Sequence, residues 1–138
     1  MSMFRVLDIS SAGLSVEQAR LEAASSNLAN ANTTRTASGS MYQPLEVVVG
    51  SKSVDGADGL VQKPVVLDVV PTNAEPRMVY APGHPDANSK GFVAMPGVDT
   101  LTTMMDLMSI SRSYEANLRV FDVTRTLLQK TLEMGARS

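Results

Sequence analysis

The chain has one histidine, His84, two residues before Asp86 and four before Asn88, within Tyr80-Ala-Pro-Gly-His-Pro-Asp-Ala-Asn-Ser-Lys-Gly-Phe-Val93. Imidazole, carboxylate and amide at that spacing could ligate a divalent metal. A zinc site needs several His or Cys ligands, and here one His stands without any Cys. The same loop partly imitates a calcium loop, with Asp86, Asn88 and Gly91 at positions one, three and six. Position five is Lys90, and position twelve is Gly97, where a bidentate Glu is required. No metal or other cofactor is expected. The loop reads instead as a fixed structure, with turns at Pro82-Gly83 and near Lys90-Gly91. Tyr80, Pro82, Gly83, His84, Pro85 and Gly91 define it.

Other chemistries fail for similar reasons. A Ser-His-Asp nucleophile would have to recruit His84 without a nucleophile-elbow pattern. Gly56 and Gly59 lack the Gly-Lys-Ser/Thr that completes a phosphate loop. Asn32-Thr33-Thr34 fits a glycosylation acceptor, a tripeptide that arises often by chance, and here it extends an Asn run that ends a helix. No catalytic residue is assigned, and neither enzymatic activity nor a small-molecule substrate is expected.

What the chain does carry is helical patterning at both ends. Leu7, Leu14, Leu21 and Leu28 recur every seven residues, with Phe4, Ser11, Gln18 and Ser25 as a half-polar companion row. Met104, Leu107, Tyr114, Leu118, Phe121, Leu128 and Leu132 follow alternating steps of three and four, with Ser111 and Arg125 as polar members. Such steps place side chains on one helix face. The spacing predicts a helix from about Phe4 to about Asn30, ended by Asn27-Leu-Ala-Asn-Ala-Asn-Thr-Thr34. It predicts a second from an N-cap at Asp99 or Thr100 to about Met134, stopped by Gly135. Between them, Tyr42 to Val49 and Val65 to Val70 are β-branched runs that suit strands, with a turn over 50–59 and a third short strand at Val79 to Tyr80. The expected fold is mainly α with a small β region. Long terminal helices pack as a coiled-coil-like core (1–34 and 98–138), and a β-hairpin or small sheet occupies 35–97.

Composition narrows the functional classes. A net charge of −2 gives no electrostatic reason to expect nucleic acid or anionic membranes. With no Trp and few other aromatics, Met, Leu and Ala must do the packing. The second helix, at about 50 Å, is too long for so small a middle region to cover. That points to a building block whose helices meet neighbouring subunits. The first ten residues lack the pattern of a cleaved secretory signal, so export, if it occurs, is expected to use another route.

Specific residues also carry a resemblance. Asn27-Leu-Ala-Asn30 followed by Asn32-Thr33, with Ala12-Gly-Leu14 and Arg20-Leu21 upstream, resembles the N-terminal signature of bacterial flagellar axial proteins: rod, hook and hook-associated proteins. Tyr80-x-Pro-Gly-His-Pro-x-Ala-x-x-x-Gly-Phe-Val93, Met95-Pro-x-Val98 and Ser111-Arg-Ser-Tyr-Glu-Ala-Asn117 are similar to the proximal-rod members of the basal body, with Phe92 where Tyr is usual. The similarity runs from about 10 to 134 and is loose over 43–76. It implies a structural subunit that crosses the periplasm as part of a helical drive shaft. It also implies export by the flagellar type III apparatus without a cleaved signal, and assembly with copies of itself and other rod proteins. Under it, the assembly interface is Leu7, Leu14, Leu21, Asn27, Leu28, Asn30, Met104, Leu107, Tyr114, Asn117, Leu118, Phe121, Leu128 and Leu132, and the 80–93 loop positions the middle region. The competing reading is a soluble coiled-coil adaptor or export-chaperone-like binding module, which would form a discrete small oligomer.

Overall fold

The computed structural model of the protein describes residues 3–54 and 61–136. Helix α1 spans Met3–Ala29. Its middle is rich in Ala, Leu, Glu, Gln and Arg, all strong helix formers. Asn30 ends it as its type predicts: the Asn30 backbone N–H and side-chain Nδ2 both donate to the Ser26 carbonyl, at 3.0 and 2.9 Å. Helix α2 spans Thr100–Ala136. Asp99 is its N-cap, its Oδ1 accepting from the Leu101 and Thr102 N–H groups at 3.0 and 3.1 Å. Gly135 does not stop α2, contrary to expectation. A glycine ends a helix by turning left-handed, and positive φ occurs among the described glycines only at Gly39 and Gly91.

The two helices run antiparallel. Gly13 faces Asn117, and a Cβ on Gly13 would sit 3.3 Å from the Asn117 amide nitrogen. Farther along, Leu21 shares a shallow apolar recess with Leu107 and Met108. At 1.5 Å per residue α1 spans about 40 Å and α2 about 55 Å, so α2 outruns its partner. Leu128 is its last half-buried side chain, and every residue from Gln129 to Ala136 is exposed.

The other side of α1 is covered by a hairpin of β1 (Leu45–Ser53) and β2 (Gln62–Pro71). Val48 pairs with Asp68 and Val49 with Val66, so Leu67 is the extra residue of a β-bulge. The bulge throws the Leu67 side chain over Gly50, where a Cβ would lie 2.8 Å from it. Lys63 Nζ bridges both carboxylate oxygens of Asp8 at 2.8 Å, tying β2 to α1. Held between hairpin and helix, Val16 and Ala23 of α1 are buried.

A second hairpin, β3 (Arg77–Tyr80) with β4 (Phe92–Met95), stands at the other end of α1. Its inward row is Val79 and Val93, the latter fully buried; nearby Pro96, Val98 and Ala31 are buried too. Gly97 lets the chain pass here, since a Cβ would strike the Glu75 carbonyl and lie 3.0 Å from the Ala74 Cβ.

Two long helices with two small antiparallel sheets between them match the expected fold class. The details differ in three places. The first strand starts at Leu45 instead of Tyr42, because Tyr42 turns its hydroxyl onto α1. The strands run on through Gly50–Ser53 and from Gln62, where ladder pairing overrides weak local β-propensity; of the expected 50–59 turn, residues 55–60 lie outside the described region. Phe92–Met95, read as loop, is a strand because Arg77–Tyr80 supplies its partner.

Candidate assembly surfaces

The C-terminal stripe read from the sequence divides in three dimensions. Leu107, Tyr114, Asn117, Phe121 and Leu128 are half-buried on the face toward α1, whereas Met104, Leu118 and Leu132 are exposed. On α1, Leu7, Leu14, Leu21 and Leu28 are all half-buried, and their companions Phe4, Ser11, Gln18 and Ser25 all face out. The outer face of α1 is therefore polar apart from Phe4. The outer face of α2 is not. Met105, Val120, Val123 and Leu127 are all exposed, and Met108 is exposed at the edge of the recess it shares with Leu21. This second row also obeys three-and-four spacing, offset from the first, and went unread because Ser109, Arg112 and Ser113 interrupt it.

Asn27 fastens the first hairpin to the helix. Its Oδ1 accepts from the Leu45 N–H at 2.7 Å and from the Tyr42 hydroxyl at 2.9 Å, and its Nδ2 donates to the Leu45 carbonyl at 2.9 Å. The carboxamide thus pairs with Leu45 as a neighbouring strand would. Tyr42 also exchanges a hydrogen bond with Ser26 Oγ at 3.0 Å.

The 80–93 loop is self-contained. Asn88 Oδ1 accepts from the Lys90 and Phe92 N–H groups at 2.9 and 3.0 Å. Gly91 holds φ at 80°, and a Cβ there would lie 2.9 Å from the Tyr80 ring and 3.2 Å from Pro82. His84 Nδ1 accepts from the Asp86 N–H at 3.1 Å. The Asp86 carboxylate reaches across to the segment after α1, taking a bond from Thr34 Oγ1 at 2.8 Å and an ion pair from Arg35 at 2.6 Å. Arg77 reaches the same segment, 3.4 Å from both the Ala31 carbonyl and Asn32 Oδ1. Asp86 and Asn88 therefore point at different partners, and among the described residues no group of three or more His, Asp or Glu side chains is placed to hold a metal. Thr34, Arg35, Tyr42 and Asp86 as bridging residues were not foreseen, since none has a periodic signal and each acts across a long sequence separation.

Residues 7–35 match the family described as flagella basal body rod protein. Residues 89–134 match the one described as flagellar basal body rod FlgEFG protein C-terminal. Over 136 residues the chain is 38% identical to the flagellar basal-body rod protein FlgC of Escherichia coli O6:H1, covering 98% of this chain and 99% of that one. The FlgC of Salmonella typhimurium gives the same identity and coverage. That of Bacillus subtilis is 34% identical over 149 residues, again 98% and 99%. The chain belongs to the FlgC family of flagellar basal-body rod proteins. Its relatives are structural rod proteins, and its place is the basal-body rod.

Within this FlgC-family fold the two signature stretches have definite work. Of the first, Asn27 seats the β1–β2 hairpin and Asn30 ends α1. The 80–93 stretch builds the β3–β4 tip, and its Asp86 bridges it to Thr34 and Arg35. The Asp86 carboxyl sits below the usual carboxylate range, chiefly because the Thr34 hydroxyl bonds its charged form, helped by the Arg35 charge. A depressed folded-state value means the tie adds stability above the ordinary Asp range, about 4, and loses it as pH falls through the lowered value. Asp86→Asn is expected to lower thermal stability slightly at neutral pH, and the difference from wild type should vanish in strong acid. A melting-temperature difference unchanged from pH 7 to pH 2 would contradict this.

Proposed function

We infer that this rod subunit works by packing its terminal helices into the core of a helical tube, with copies of itself and other rod proteins, so that the tube transmits torque as a drive shaft. The observation that carries the reading is the outer face of α2, where Met105, Val120, Val123 and Leu127 stand exposed among polar residues. The molecule exposes 9173 Å², about a third more than the roughly 6,900 Å² expected of a compact monomer of its mass. Extended apolar surface on a small protein marks an interaction site.

The residues then take two roles. Leu7, Leu14, Leu21 and Leu28 with Leu107, Tyr114, Phe121 and Leu128 hold the two helices to each other. Met104, Leu118, Leu132 and the outer row face neighbouring subunits. Asn27, Asn30 and the 80–93 loop set the angle of the β region on the helices. Contacts between unlike patches on successive subunits propagate as an open helix, which a shaft requires. The subunit carries no catalysis in this role, and it reaches the rod across the periplasm through the flagellar type III apparatus as its family resemblance implies.

Expression in a flagellated host lacking its own FlgC tests the reading. The purified chain should be monomeric by sedimentation, restore swimming in soft agar, and co-purify with basal bodies. A discrete soluble oligomer absent from basal bodies would favour an adaptor instead.

A further inference from the structure

The β3–β4 hairpin turns an apolar face outward. Met78, Tyr80 and Phe92 are 56%, 66% and 38% exposed, although Val93 on the inward row of the same strands is fully buried. Tyr80 and Phe92 stack edge to face with ring centroids 5.3 Å apart. Gly91 is held left-handed beneath that ring, and Pro82 lies beside it. The chain has only six Phe and Tyr residues and no Trp, so two of its few large anchors stand in solvent on a braced platform. Exposed, rigid aromatics of this kind are typical binding anchors.

We propose that this platform receives the C-terminal helical end of the adjoining rod-family subunit, of which this chain's own α2 is one instance. The platform and the free end of α2 lie at opposite ends of the molecule. The platform is tied through Arg77 and Asp86 to the segment after α1, and α2 runs past the N-terminal end of α1 some 40 Å away. Patches so placed cannot close on each other within one subunit, and in the open helical assembly inferred above they meet head to tail. The surfaces suit each other. The free end of α2 offers Leu127, Leu132 and Met134, and aliphatic and thioether groups pack well on aromatic rings. Glu133 is exposed in the last turn of α2, and the platform carries the exposed Lys90. The outer face of α1 offers no comparable apolar row. A head and a tail of about 800 Å² each, the usual area per partner, fit within the extra surface of the molecule. The segment matching the rod-family C-terminal description covers α2 almost to its end, so adjoining rod chains of that family present an equivalent helix.

This deepens the rod reading and rests on it. The test places the photo-crosslinker p-benzoylphenylalanine at Tyr80, with Ser11 on the polar face of α1 as comparison, in cells where the variant is the sole FlgC. Basal bodies are isolated, irradiated and mapped by mass spectrometry. Crosslinks from position 80 are expected on the C-terminal helix of a rod-family chain, at least tenfold above those from position 11 to the same segment. Tyr80→Ser should reduce incorporation into basal bodies at least tenfold, with the helical content of the purified subunit unchanged. Crosslinks to N-terminal helices, to another β region or to a protein outside the rod family would overturn the proposal, as would intact rods with none. If the wild-type chain never enters basal bodies, the rod reading itself fails, which separates the two failures.

Discussion

Phe121→Asp is expected to destroy both the subunit's helical pair and the rod built from it. Phe121 lies on the α1-facing row with Tyr114, Asn117 and Leu128, at the level where Gly13 and Asn117 bring the helices close. Truncating a fully buried Phe costs about 3–5 kcal/mol; half-buried, this ring accounts for roughly 2 kcal/mol of that. A carboxylate at the seam adds the penalty of an unpaired, partly desolvated charge. A loss of about 3 kcal/mol is a large share of the 5–15 kcal/mol that holds a typical domain together. It lowers the melting temperature of a domain this size by about 10 °C. Swimming and rod recovery should fall to background, and the melting curve of the isolated subunit should shift as well. That second readout matters, because the ring serves the subunit before it serves any neighbour. Asp122→Asn, one residue away and exposed, should be nearly silent. Rods of normal yield from Phe121→Asp subunits would remove this face from the core.

Asn27→Ala should release the first hairpin from α1. One carboxamide holds the Leu45 N–H, the Leu45 carbonyl and the Tyr42 hydroxyl. Alanine removes all three bonds, though the Tyr42 hydroxyl keeps Ser26 Oγ, and each partly buried polar group left without a partner costs about 1–3 kcal/mol. A total of about 2–4 kcal/mol is expected, since water can reach some of them. Asn27→Asp should fall between alanine and wild type: the carboxylate keeps both acceptor bonds, but it cannot donate to the Leu45 carbonyl. Hydrogen exchange at the Leu45 amide reads the contact directly, and protection should drop most for alanine. Equal protection in wild type and Asn27→Ala would show that the hairpin is seated by something else, such as the Lys63–Asp8 pair.

Both predictions draw on features of very different visibility. The helices were legible because their determinants are short-range. Three-and-four spacing, the Asp99 cap and the Asn30 terminus each act within a turn or two, and local side-chain chemistry suffices for them. The Asn27 signature was visible as a pattern, yet its partner lies 18 residues on in Leu45. The fourth strand was invisible for a related reason: Phe92–Met95 is extended only because Arg77–Tyr80 lies beside it. The long helix shows the same division. Its periodicity marked an apolar face but could not say which neighbour covers it. Folding turned Leu107, Tyr114, Phe121 and Leu128 inward against α1, and left Met104, Leu118 and Leu132 outside with a second row at Val120, Val123 and Leu127. Helix formation is dictated along the chain; which side of a helix is buried depends on elements brought together from far along it, and here α1 has only enough surface for one side of α2.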